Sequence, residues 1–196
     1  MEPLDFAALK RRDRAITDAH RPACEAILAH CRPDTGAAWN MTPAQWVAEF
    51  VCCAVEVLRP ARIPLSPSMG QGLLESGWGR STVLFGIKAR KQDVDAGKAV
   101  QRMTKEYLDG HWVNVPAFFF MDTTMRGQFE QYLDLCRRVH PAFAKFYPAR
   151  DEDYLAYILR PGKAYATDPA YTSKVQGVIK GSGLEIFDRF EMYGAK

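Results

Sequence analysis

Over most of the chain, apolar residues recur at the spacing of one helix face rather than in strand alternation. Residues 4 to 31 carry Leu4, Ala8, Leu9 and Ile16, then Ile27 and Leu28, which predicts two helical pieces split at Pro22. The turn-rich run Arg32-Pro33-Asp34-Thr35-Gly36 predicts a boundary after an N-terminal helical extension, residues 1–40. Thr42-Pro43-Ala44-Gln45 has the form of a capping box: the Thr42 hydroxyl can accept the N–H three residues on, Gln45 can reach back, and Pro43 suits the first helical position. The helix it opens turns Trp46, Val47, Phe50, Val51, Ala54 and Leu58 inward and stops at Arg59-Pro60. Ser66-Pro67 is expected to start the next helix in the same way, with Met69, Leu73 and Leu74 as its stripe and Gly77 at its end. Glu75 therefore falls in that helix's last turn.

From Ala99 to Phe120 the pattern becomes strand-like around Asp109-Gly110, a dipeptide that tolerates the positive φ of a tight hairpin. Beyond it, Asp122 or Thr123 is expected to cap a helix bearing Phe129, Tyr132, Leu133 and Cys136. A further helix is predicted from about Asp151 to Leu159. Asp168-Pro169 opens a last helix, with Asp168 as its N-cap, Tyr171, Val175, Val178 and Ile179 inward and Gly181 ending it. The fold class is thus mainly α (α+β), a helical lobe and a small β-hairpin lobe flanking a cleft. The main domain is placed at residues 41–185 and a tail at 186–196.

Composition narrows the function classes. At 196 residues, 47% hydrophobic and 12% aromatic, the chain can bury a real core. Its most apolar stretch, Val47 to Leu58, is broken by Glu49 and Glu56 and falls short of the roughly 18 residues a membrane span needs, so no membrane insertion is expected. A net charge of +3 is low for a nucleic-acid binder, and no nucleic-acid partner is expected. The basic start at Lys10-Arg11-Arg12 is not followed by an apolar run, so a Sec leader is not expected and export would use a dedicated route. The five cysteines, Cys24, Cys31, Cys52, Cys53 and Cys136, have no CxxC spacing and read as reduced, buried thiols. His20 and Cys24 are four apart but share a segment with Pro22, and neither a metal nor another cofactor is expected.

The candidate chemistry centres on Glu75. A carboxyl in the last turn of a helix faces the negative end of the macrodipole, and Leu73, Leu74 and Trp78 flank it. Both effects favour the protonated form that a general acid needs. The string Glu75-Ser76-Gly77-Trp78-Gly79, followed by Leu84-Phe85-Gly86-Ile87-Lys88, resembles the core motif of the flagellar-type β-N-acetylglucosaminidases, glycoside hydrolase family 73. Two further stretches resemble the same family: Thr104-Lys105-Glu106-Tyr107 through Gly110 in the hairpin, and Tyr165-Ala166-Thr167-Asp168-Pro169-Ala170-Tyr171. The resemblance runs from about Thr42 to Lys180. The sequence departs from it at Gly70-Gln71 in place of Ala-Gln, at Val83 in place of asparagine, at Phe118-Phe119-Phe120 in place of Phe-Arg, and at Lys163-Ala164, where glycine is expected before Tyr165.

The resemblance implies a lysozyme-like fold and hydrolysis of the β-1,4 bond between N-acetylglucosamine and N-acetylmuramic acid in peptidoglycan. It makes Glu75 the general acid and Glu106 the second carboxylate. Trp78, Tyr165, Phe85, Lys88 and Tyr171 become candidate substrate contacts. Three of them also have a plain alternative: Trp78 as a core plug or a pyranose platform, Lys88 as a substrate contact or a loop residue, Tyr171 as a packing residue on its helix. Muramidase action on the other glycosidic bond stays open, as do inverting, covalent and substrate-assisted routes. So does a non-catalytic wall-binding module. The expected setting is a cell wall reached by phage lysis or by injection as a type VI-like antibacterial effector, and the latter would bring a cognate immunity protein.

Overall fold

The computed structural model describes residues 1–33, 39–139 and 165–189, and the helix predicted near Asp151 to Leu159 lies outside them. The helices are α1 (Phe6–Arg12), α2 (Arg21–His30), α3 (Pro43–Cys53), α4 (Leu65–Glu75), α5 (Lys91–Asp95), α6 (Met125–Val139) and α7 (Tyr171–Ser182). The strands β1 (Ala99–Leu108) and β2 (His111–Phe120) lie between α5 and α6. A mainly helical body with one hairpin is the expected fold class.

Local signals placed α3 as predicted. The Thr42 hydroxyl accepts from the Gln45 N–H, and the Gln45 side chain accepts from the Thr42 N–H. Trp46, Val47, Phe50 and Val51 are buried, and a π-helical turn, Ala54–Leu58, continues the apolar face. Glu49 and Glu56, which interrupt the apolar run, meet cations from elsewhere: Arg12 pairs with both, and Arg126 on α6 reaches Glu56 at 2.8 Å. The N-terminal segment therefore docks rather than trailing. Phe6, Leu9, Ile16 and Ile27 join Trp46, Phe50, Phe85 and Phe129 in one hydrophobic core. Pro22 does not split the helices. It sits in the first turn of α2, where its missing N–H has no helical partner to lose, and the break falls at residues 13–17.

The start of α4 also differs from expectation. The helix begins at Leu65, ahead of Ser66, and its first N–H groups are capped from far along the chain. Asp188, in a 3-10 turn after α7, accepts from the Leu65 N–H at 2.7 Å and from the Ser66 N–H at 3.2 Å. Everything from Leu65 to Leu73 is buried, making α4 the central helix. Two glycines allow its neighbours to approach: a Cβ at Gly70 would lie 2.9 Å from Ile179 Cγ1 on α7, and one at Gly72 would lie 3.1 Å from the Phe50 ring on α3. At Gly70, where the family pattern has alanine, a methyl group would require the Ile179 side chain to shift.

The hairpin pairs Ala99 with Phe120 through Leu108 with His111, closing on Asp109 and Gly110 at φ 51° and 83°. The Leu84–Lys88 stretch runs alongside β2, with the Phe120 N–H donating to the Ile87 carbonyl at 2.7 Å and the Ala89 N–H to Phe118 at 2.8 Å. Helix α6 is capped by Thr124, not by Asp122 or Thr123: the Thr124 hydroxyl accepts from the Gly127 N–H, while Asp122 holds Thr124. Helix α7 runs past Gly181 and ends at Gly183, whose φ of +62° provides the left-handed stop. Asp168 holds the turn before α7, accepting from the Ala170 N–H. All five cysteines are buried, and burial pushes the thiols of Cys24, Cys31 and Cys52 up to about 12.

Candidate active site

Glu75 is the last residue of α4, and the chain leaves it through a tight reversal. Gly77, Trp78 and Gly79 all have positive φ, and the Gly77 and Trp78 N–H groups return to the carbonyls of Leu74 and Leu73. The buried Ser76 hydroxyl accepts from the Gly79 N–H, and a Cβ at Gly79 would lie 3.0 Å from the Trp46 ring. Trp78 holds φ +62° without being glycine, a costly conformation kept by its surroundings. Its carbonyl accepts from the Arg32 N–H, and its half-buried ring lies against His30 at 4.9 Å. The reversal is thus tied to the end of α2.

The Leu84–Lys88 stretch lies across Glu75. Gly86, at φ +61°, brings its backbone so close that a Cβ there would sit 2.7 Å from Glu75 Oε2. Burial raises the Glu75 carboxyl to about 6, the nearby Glu106 pushes the same way, and a hydrogen bond from the Tyr171 hydroxyl opposes them. The surroundings of this helix-end carboxyl thus favour its protonated form.

Glu106 has the opposite surroundings. Lys88 Nζ lies 2.9 Å from Oε1, and the Thr167 hydroxyl donates to Oε2 at 2.8 Å while accepting from the Tyr107 N–H. Partial burial would raise this carboxyl, but the Lys88 and Thr167 contacts outweigh it and hold Glu106 below the usual glutamate range. Lys88 thus contacts the second carboxylate.

Two expected substrate contacts are corrected. The Phe85 ring is fully buried, stacked on Tyr132 at 4.2 Å and edge-on to Phe129 at 5.0 Å, so it cannot meet a sugar without leaving the core. Its carbonyl takes part instead, accepting from the Tyr165 hydroxyl. Tyr171 is buried too and acts from behind the site: its hydroxyl bonds Glu75 and accepts from Gln71 Nε2 at 3.0 Å. Tyr165 stacks on Tyr171 at 5.9 Å, partly exposed beside Glu75, and burial holds both phenols well above their ordinary range, as proton donors.

Sequence reasoning gave no site role to Gln71, Tyr132, Gly86 or Thr167, although Gly86 and Thr167 lie within the motif strings. Gln71 carried a signal: it lies one turn before Glu75 on the same helix, in the Gly70-Gln71 pair that stands where the family pattern has Ala-Gln. Among the described residues, no cluster of three His, Cys, Asp or Glu side chains could hold a metal ion. A cavity of about 220 Å³ lined by Leu4, Ala8, Leu9, Ala48 and Cys52 contains none of the groups above.

Residues 53–184, more than half of the chain, match the family model described as mannosyl-glycoprotein endo-beta-N-acetylglucosaminidase. An autolysin of Enterococcus faecalis is 27% identical over 176 residues, covering 84% of this chain and 23% of that protein. A probable N-acetylmuramidase of Lactococcus lactis subsp. lactis is 29% identical over 175 residues, covering 84% of this chain and 39% of that protein. The chain thus spans less than half the length of these curated relatives. Among solved structures, a peptidoglycan hydrolase mutant from Sphingomonas sp. A1 is 28% identical with a TM-score of 0.61, over 71% of this chain and 94% of that one. The truncated glycoside hydrolase domain of FlgJ from Salmonella typhimurium shares the fold at 24% identity and a TM-score of 0.53, over 71% of this chain and 96% of that one. With its glutamate-ended central helix and its hairpin carboxylate on a lysozyme-like fold, the chain belongs to the glucosaminidase family, glycoside hydrolase family 73.

Proposed function

We propose that this domain hydrolyses the β-1,4 bond between N-acetylglucosamine and N-acetylmuramic acid in peptidoglycan, with Glu75 as general acid and Glu106 as the ionised partner. The observation that carries this reading is the opposite setting of two neighbouring carboxyls, one raised to about 6 and one held low. Glu75 donates its proton to the glycosidic oxygen as the bond to the anomeric carbon breaks, so the leaving sugar departs as an alcohol. The carboxylate left on Glu75 is then stabilised by the Tyr171 hydroxyl. Glu106, negatively charged throughout, activates the attacking water or stabilises the oxocarbenium-like state. Each of its oxygens accepts one hydrogen bond, from Lys88 and from Thr167, which orients the carboxylate and leaves a lone pair on each oxygen facing the reaction.

The likeness to a probable N-acetylmuramidase of Lactococcus lactis supports a second reading, muramidase action at the other bond. Digestion of purified peptidoglycan, borohydride reduction of new reducing ends and mass spectrometry decide between them. Reduced N-acetylglucosamine ends from the wild type and none from Glu75→Gln are expected. Reduced muramic ends would transfer the assignment to muramidase, and no soluble fragments from the wild type would overturn both. The antibacterial effector reading, with its immunity protein, has its own test: export to the periplasm of a host cell should cause lysis, and cytoplasmic expression should not.

A further inference from the structure

We propose that Gln71, held from behind by Tyr132, is a positioning residue that directs the hydroxyl proton of Tyr171 onto Glu75. The inference rests on the reading of Glu75 as the acid. Gln71 and Glu75 are four residues apart on α4 and so share a face. The fully buried Gln71 amide is held at both ends: Tyr132 Oη on α6 donates to Oε1 at 2.7 Å, and Nε2 donates to Tyr171 Oη on α7 at 3.0 Å. With the amide in that orientation Tyr171 is an acceptor toward Gln71, and its own proton serves Glu75.

Three helices therefore supply a chain of donors with one direction, Tyr132 to Gln71 to Tyr171 to Glu75. Packing keeps its members in place. Tyr132 stacks on Phe85, Tyr171 stacks on Tyr165, and the missing side chain of Gly70 lets α7 approach α4. An O–H that accepts a hydrogen bond becomes a stronger donor, so Gln71 strengthens the Tyr171 bond to the ionised form of Glu75, the form left after proton donation. The other groups facing Glu75 are Tyr165, ahead of α7, and Glu106 on β1, with Lys88 paired behind it.

The test is a carboxyl-carbon NMR titration of glutamate-labelled protein, with the Glu75 signal assigned by its loss in Glu75→Gln. Tyr171→Phe should raise the Glu75 midpoint by about one pH unit and Gln71→Met by about half a unit, since each weakens a bond to the charged form. Tyr132→Phe should shift it upward by less. The double variant Gln71→Met/Tyr171→Phe should titrate with Tyr171→Phe alone, because Gln71 acts through Tyr171. A Gln71→Met midpoint equal to wild type, or a shift that persists without the Tyr171 hydroxyl, would overturn the proposal and leave Gln71 as packing. Should Gln71→Met fail to fold, Tyr132→Phe decides, since it keeps its ring on Phe85; an unmoved midpoint there also overturns it. The titration needs folded protein and no turnover, so absence of glycan cleavage would remove the proposed function without touching this result.

Discussion

Glu75 ends a helix buried along almost its whole length, whereas Glu106 rides a two-stranded hairpin whose outer face leaves Met103, Trp112 and Phe118 exposed. The same side chain is driven two ways by these settings. At the helix end, burial, the macrodipole and a like charge favour the neutral acid. On the hairpin, an ammonium and a hydroxyl favour the anion. One carboxyl comes from the buried centre of the molecule and the other from its edge. The edge is nevertheless pinned, because the Tyr165–Ala170 segment reaches β1 through Thr167.

The comparison breaks most completely at Glu75. Glu75→Gln keeps the shape and removes the proton, and glycan cleavage should fall about 1,000-fold or more, measured as release of reducing ends. Gly86→Ala comes next. It places a methyl carbon against Glu75 Oε2 and forces alanine to φ +61°, so it should cost about 1–2 kcal/mol of stability in a denaturant melt and displace the carboxyl, lowering turnover on the order of 100-fold.

Stability should report the same contrast with its own sign. Glu75 has a folded-state value raised from 4.5 to about 6, so its contribution is present below pH 4.5 and is lost as pH rises through 6. Glu75→Gln should therefore be more stable than wild type at pH 7.5, by up to about 2 kcal/mol, and not at pH 4. Equal stabilities at pH 7.5 would mean that burial does not penalise the charge. The smallest effect belongs to Lys88→Met. Loss of the cation should raise Glu106 and move the acid limb of the pH-rate profile upward, with less than about a tenfold loss of activity, because an exposed lysine is screened by water. Added salt should shrink the difference between this variant and wild type.

How far these features were legible in the sequence depended on how far apart their partners lie. The α3 cap and the Asp109-Gly110 turn are local, each contained within four residues, and both formed where expected. The α4 cap was not readable near Ser66, because the carboxylate that supplies it is Asp188. Glu75 was legible twice over, from its helix-end position and from its motif. Phe85 shows the limit of a motif: membership marks a residue as near the site without saying whether its ring or its carbonyl is used. Gln71 and Tyr132 were hidden for a related reason. One reads as a polar interruption and the other as a core aromatic until three helices are packed together.

Whether Glu75 must be protonated for cleavage while Glu106 is ionised is decided by the pH dependence of kcat/KM on soluble glycan fragments. A bell is expected whose alkaline limb has a midpoint near 6, set by Glu75, and whose acid limb lies below the ordinary glutamate range, set by Glu106. A rate that stays level from pH 5 to beyond pH 8 would contradict this, since no carboxyl with the raised pKa of Glu75 would then be donating the proton.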